Sequence, residues 1–168
     1  MLLCKFVPAS TLVWKSSDRL YYRNNAGYGL SGEFESLSES QIRTQMEVNY
    51  FGLLNVTRKA LEVMREKNSP PGGKIQQITS IGGQRGVPTF SIYCSSKWAV
   101  EGFTEALSHE LKPEWNIKLT CIEPGGFRTD WAGRSMVFGE KKNPAVSSLQ
   151  ITSETQWLTC MEVRSYQR

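Results

Sequence analysis

Lys74–Lys97 reads KIQQITSIGGQRGVPTFSIYCSSK. It opens with a short β-type run, Lys74 to Ser80, released by the turn-forming Ser69-Pro70-Pro71-Gly72-Gly73. It ends in a helical pattern that carries Tyr93 and Lys97 four residues apart. On a helix that spacing puts the phenol and the ammonium on one face. A neighbouring positive charge favours phenolate, so the spacing predicts a Tyr93 pKa lowered from its usual value near 10. Such a phenol can exchange a proton with a carbonyl or alcohol oxygen near neutral pH. Ser80, thirteen residues before the tyrosine, adds a polarising hydroxyl. The plainer reading is a solvated helix face, which Tyr-x-x-x-Lys usually marks.

The surrounding chain repeats the same grammar. Asn116 to Ile122 reads as a strand that ends at Pro124-Gly125-Gly126, and Leu20 to Arg23 as a weaker one that ends at Asn24-Asn25-Ala26-Gly27. A long helix is predicted from the capping box Ser38-Glu39-Ser40-Gln41 to about Lys67, with Ile42, Met46, Tyr50, Leu53, Leu54, Val56, Ala60, Leu61 and Met64 as its apolar stripe. Asn49 stands inside it, either a satisfied flank residue or a member of a site. A second helix is predicted from Ser91 to Lys112, closed by Pro113, with Ala99, Phe103, Ala106, Leu107 and Leu111 as its packing face. Strand, helix, strand, helix, strand implies parallel strands with right-handed crossovers, whose ligands bind beyond the carboxyl ends. Asn24–Gly27, Ser80 and Pro124–Gly126 all fall at those ends and share one crevice.

From about Asp18 to Phe138 the chain resembles the classical short-chain dehydrogenase/reductase family. The resemblance rests on Asn24-Asn25-Ala26-Gly27, Val48-Asn49, Thr79-Ser80, Tyr93-Cys94-Ser95-Ser96-Lys97 and Pro124-Gly125-Gly126-Phe127-Arg128-Thr129. It implies an α/β fold, a partial Rossmann-like doubly wound parallel sheet that lacks the first βαβ unit. It also implies an NAD(P)-dependent oxidoreductase moving hydride between a nicotinamide and a small carbonyl or alcohol substrate. Tyr93 would be the general acid/base. Lys97 would hold the nicotinamide ribose and depress the phenol pKa, Ser80 would bind the reacting oxygen, and Asn49 would anchor a water in a proton relay. Asn25, Ala26 and Gly27 would frame the cofactor on its adenosine side, with Pro124, Gly125 and Thr129 on its nicotinamide side. In the family the two long helices pack against a partner subunit, so residues 41–67 and 91–112 are the expected homo-oligomer contacts. The preference between NAD and NADP is not legible, nor is the substrate.

The family's glycine-rich turn after a first strand has no counterpart before Asn24. The alternative function is therefore an inactive fragment or pseudoenzyme acting through subunit association. Gly27-Tyr28-Gly29-Leu30-Ser31-Gly32 fits G-x-G-x-x-G, yet Glu33 to Leu37 separates it from the helix, so it reads as a flexible link and not as a phosphate loop. Losing the first family strand should leave a long open sheet edge. Arg23 in a buried strand would be costly unless it escapes or finds a partner.

Three segments follow: 1–17 outside the resemblance, 18–138 as the partial dinucleotide-binding domain, and 139–168 as a disordered tail. The 168 residues fit one domain; 39% are hydrophobic and the net charge is +4. A mean hydropathy of −0.38 argues against a membrane protein. The charge is dispersed, with no basic stripe for nucleic acid. Met1–Trp14 is interrupted by Lys5 and Pro8 and reads as neither signal nor span. Cys4, Cys94, Cys121 and Cys160 lack metal-ligand spacing, and His109 is the lone histidine, so no metal site is expected. Reduced thiols point to the cytoplasm.

Overall fold

The structure is a computed structural model that describes residues 11–16, 19–125, 135–139 and 162–166. Its centre is three parallel strands: β2 (Arg19–Asn24), β4 (Gly73–Ile78) and β5 (Ile117–Glu123). Burial alternates strictly along β4 and β5. Ile75, Ile117, Leu119 and Cys121 turn inward with Tyr22, whereas Lys74, Gln76 and Lys118 turn to the opposite face. The inward face meets two long helices, and Ala60, Met64, Leu107 and Leu111 close the core over it.

The first helix is α1 (Glu39–Met46), continued by a π-turn over Glu47–Phe51 and then by α2 (Gly52–Glu66). Its start is the capping box that the sequence announces: the Gln41 N–H donates to Ser38 Oγ at 3.2 Å and the Ser38 N–H to Gln41 Oε1 at 3.0 Å. The second helix, α3, spans Ser91–Glu110. Leu111 and Lys112 are already extended, because Pro113 excludes the helical conformation from the residue before it. The buried stripe of α3 is Tyr93, Cys94, Ser96, Lys97, Val100, Glu101 and Thr104. Ala106, expected to pack, is exposed. Phe103 meets the edge of Tyr50 across the helix pair, at 6.3 Å between ring centres. Of the expected face Leu107 and Leu111 do pack on the core, but the fully buried stripe lies one position on and is largely polar.

Two expectations about the sheet edges are corrected. The edge of β2 is not open: β1 (Thr11–Ser16) pairs with it antiparallel, Thr11 opposite Asn24 and Ser16 opposite Arg19. The tail is not wholly without structure, since β7 (Glu162–Tyr166) pairs antiparallel with β5. A hairpin needs only a tight turn, so a local antiparallel strand can cover an edge that a distant parallel one would otherwise fill. Gly27–Gly32 is likewise no loose link. Within it, β3 (Gly29–Ser31) forms a parallel pair with β6 (Met136–Phe138). Arg23 finds its partner on the outer face, where its Nε donates to Gln76 Oε1 at 3.0 Å.

Candidate active site

Because β2, β4 and β5 are parallel, Asn24, Ile78 and Glu123 end at the same rim. The rim is tied together by main-chain bonds: the Thr79 N–H donates to the Ile122 carbonyl at 2.9 Å and the Ile81 N–H to the Pro124 carbonyl at 3.2 Å. Ser80 leaves β4 in extended conformation and caps the short turn Ile81–Gly83, its Oγ accepting the Gly82 N–H at 3.1 Å. A Cβ on Gly82 would stand 3.3 Å from Tyr93 Cε1 and 3.6 Å from Ser80 Oγ. A side chain here would crowd the tyrosine ring, so the bare turn leaves serine and tyrosine room to approach. The Ser80 hydroxyl hydrogen-bonds the Tyr93 phenol.

Lys97 lies one turn along α3, with its Nζ 5.7 Å from the centre of the Tyr93 ring. The ammonium donates to the Ile78 carbonyl at 3.0 Å, at the very end of β4. Asn49 occupies the π-turn, a feature frequent at functional sites. Its Oδ1 accepts the Tyr28 N–H at 3.1 Å; its Nδ2 donates to the Tyr28 carbonyl at 3.0 Å and to Ser96 Oγ at 3.1 Å. A Cβ on Gly27 would meet Asn49 Oδ1 at 3.2 Å and Lys97 Nζ at 3.4 Å. The structure therefore brings Gly27, Asn49, Ser80, Tyr93 and Lys97 together at this rim. Ala26, Pro124 and Gly125 border it half-buried and Asn25 is exposed; Thr129 lies outside the described residues.

One expectation about chemistry changes. The Tyr93 phenol is not made more acidic: burial pushes it up to about 12, against the smaller opposite pull of the Ser80 hydrogen bond. Loss of water around the phenolate outweighs a cation whose own hydrogen bond goes to a carbonyl. Lys97 is itself brought down to about 8 by burial, with the Glu101 carboxylate working the other way. As for Asn49, both of its amide hydrogens are committed to Tyr28 and Ser96, so its side chain clamps the loop and leaves only oxygen acceptors to hold a water.

Sequence reasoning missed Gln45 and Ser96, both fully buried. Gln45 donates to the Tyr28 carbonyl at 2.9 Å and accepts the Leu30 N–H at 2.8 Å; Ser96 donates to the Tyr93 carbonyl at 2.7 Å. The usable signal was a polar ladder at helical spacing, Gln45, Asn49 and Thr57, along a face otherwise apolar. Among the described residues no cluster of His, Cys, Asp or Glu could hold a metal, and no helix is long and apolar enough to cross a membrane.

Residues 18–136 match the family described as short chain dehydrogenase, and the chain belongs to it. An uncharacterized oxidoreductase of Schizosaccharomyces pombe is 47% identical over 122 residues, covering 73% of this chain and 41% of that protein. A short-chain dehydrogenase from Streptomyces avermitilis superimposes with a TM-score of 0.66 at 36% identity, covering 75% of this chain and 46% of that one. A 4-hydroxyisoleucine dehydrogenase complexed with NADH superimposes with a TM-score of 0.60 at 28% identity, covering 64% and 46%. The chain thus spans less than half the length of these relatives.

Proposed function

We propose that this chain carries the reaction centre of an NAD(P)-dependent oxidoreductase acting on a small carbonyl or alcohol substrate, with Tyr93 as general acid/base. The observation that carries the reading is the Ser80 hydroxyl on the Tyr93 phenol with the Lys97 ammonium one helical turn away, at the carboxyl rim of the sheet. A bound nicotinamide cofactor supplies or accepts the hydride. Two observations support a nicotinamide and ribose end here: Gly27 keeps the loop bare beside Asn49 and Lys97, and the Pro124 carbonyl accepts the Ile81 N–H next to Ser80. Asn25, Ala26, Gly27, Lys97, Pro124, Gly125 and Thr129 are the residues that would hold it, whether NAD or NADP.

The chain's own groups then divide the work. Ser80 orients the substrate oxygen. Burial keeps the Tyr93 phenol protonated at neutral pH, so it is poised to give its proton as negative charge develops on that oxygen. Asn49 fixes the loop after β2, which would border a bound cofactor. The buried, unpaired thiols of Cys94 and Cys121 accord with a cytoplasmic setting.

The test is turnover of the purified chain with NADH or NADPH and a panel of ketones and aldehydes. Tyr93→Phe should lower the rate by at least about 100-fold with the fold intact. A folded Phe variant at near-parental rates overturns the assignment. A second reading, a non-catalytic chain acting through subunit association, draws on Phe51 and Trp98, 47% and 51% exposed on the π-turn and α3. A parental chain that forms dimers but shows no turnover with any carbonyl favours that reading.

A further inference from the structure

Lys97 and Glu101 are each only 6% exposed and stand one turn apart on α3. Charged side chains are almost never buried this deeply without compensation. The hydrogen bond from Lys97 goes to the Ile78 carbonyl, a neutral acceptor that leaves the net charge in place. The groups around that ammonium come from every neighbouring element: Tyr93 on α3, Asn49 on the π-turn, Gly27 after β2 and the end of β4. None of them is an anion. Glu101 sits on the sheet side, where a Cβ on Gly83 would meet its Cγ at 3.2 Å and the Lys97 main chain at 3.3 Å. The bare glycine turn after Ser80 thus lies directly on the helical turn that joins lysine to glutamate. Beyond Glu101, the Cys121 thiol hydrogen-bonds its carboxylate, and Glu123 follows on β5, with Gln84 Nε2 at 3.5 Å.

We propose that Glu101 is a positioning residue whose buried carboxylate keeps the Lys97 side chain charged beside Tyr93. This rests on the reading of Lys97 as part of the reaction centre. Opposite charges within a dry interior favour each other's ionised forms, whereas burial alone would strip the proton from the lysine. Glu101 acts through Lys97 and touches no reacting atom. An uncharged lysine would leave the phenol without its cation and would have one fewer donor for a ribose.

The experiment is a pH titration of the full chain labelled with 13C in lysine, following the Lys97 Cε signal assigned by its loss in Lys97→Arg. The expected midpoint is about 8 in the parent. It should fall in Glu101→Gln and stay at the parental value in Glu105→Gln, an exposed acid on the same helix. A midpoint unchanged or raised in Glu101→Gln overturns the proposal. If that variant does not fold, the parent answers through reciprocity, because coupled groups each sense the other's titration. The Glu101 Cδ signal must then show a step at the Lys97 midpoint, and its absence overturns the proposal equally. Failure of the chain to bind NADH or NADPH would count against the proposed function, yet leave this titration fully readable.

Discussion

Asn49 grips the main chain of Tyr28 from both sides, accepting its N–H at 3.1 Å and donating to its carbonyl at 3.0 Å. With Gln45, which donates to the same carbonyl and accepts the Leu30 N–H, this amide closes the loop after β2 onto the first helix. Asn49→Ala should cost about 2 kcal/mol, three lost hydrogen bonds partly offset by alanine's better helix propensity. Native-state hydrogen exchange at the Tyr28 amide should accelerate by at least about tenfold. An unchanged exchange rate would show the loop to be held by other contacts.

Tyr22 is 3% exposed among Ala60, Met64 and Ile75, and its hydroxyl has no hydrogen-bond partner among the described residues. A buried polar group left unsatisfied carries a desolvation penalty. Tyr22→Phe should therefore stabilise the protein by about 1 kcal/mol. Urea denaturation checks this, and a lowered midpoint for the phenylalanine variant would refute it.

Gly73 has φ +156, and a Cβ there would stand 2.6 Å from the Leu20 carbonyl oxygen and 2.7 Å from Met64 Cε. The register places it beside Leu20 on one side and Ile117 on the other, at the entry to the central strand. Gly73→Ala should cost more than about 2 kcal/mol, since backbone strain and a main-chain clash add. A thermal midpoint within a degree or two of the parent would contradict this placement.

Burial raises the thiols of Cys94 and Cys121 above their usual 9.0 and the Tyr93 phenol from 10.0 to about 12. Folded pKa values above the unfolded ones stabilise the protein at low pH, and that contribution is lost as pH rises through them. Lys97 runs the opposite way. Its folded value of about 8 lies below the unfolded 10.5, so its contribution grows over that interval. Burial raises Tyr22 and Tyr28 as well, so the falling contributions outweigh the single rising one. The free energy of unfolding should drop between about pH 9 and 11, on the order of 1 kcal/mol or more. Cys121→Ala should flatten the drop; a parental profile that rises through this range would be incompatible with the buried neutral groups.

What was legible in the sequence was the part written in local rules. The Ser38–Gln41 box set a helix start, Pro113 set a helix end, and the two glycine-proline-rich turns bracketed the parallel strands. Tyr93, Lys97 and Ser80 could be brought together because helical spacing and strand polarity fix directions without distances. The edges were not legible, since β1 and β7 carry no resemblance and pair only once the central sheet exists. The pKa of Tyr93 was misjudged for a related reason. Spacing reveals that a cation is near but not that water is excluded, and here burial dominates. Gln45, Ser96 and Glu101 were passed over because polar residues on a packing stripe look like interruptions, whereas their partners lie on segments distant in sequence.

The most direct measurement is titration of the purified chain with NADH and with NADPH, following energy transfer from tryptophan to the reduced nicotinamide. A cleft formed by Gly27, Asn49, Lys97, Pro124 and Gly125 predicts saturable transfer with at least one of the two, weakened in Lys97→Met. Transfer that fails to saturate with either nucleotide, or that is indifferent to the loss of Lys97, would contradict the site described here.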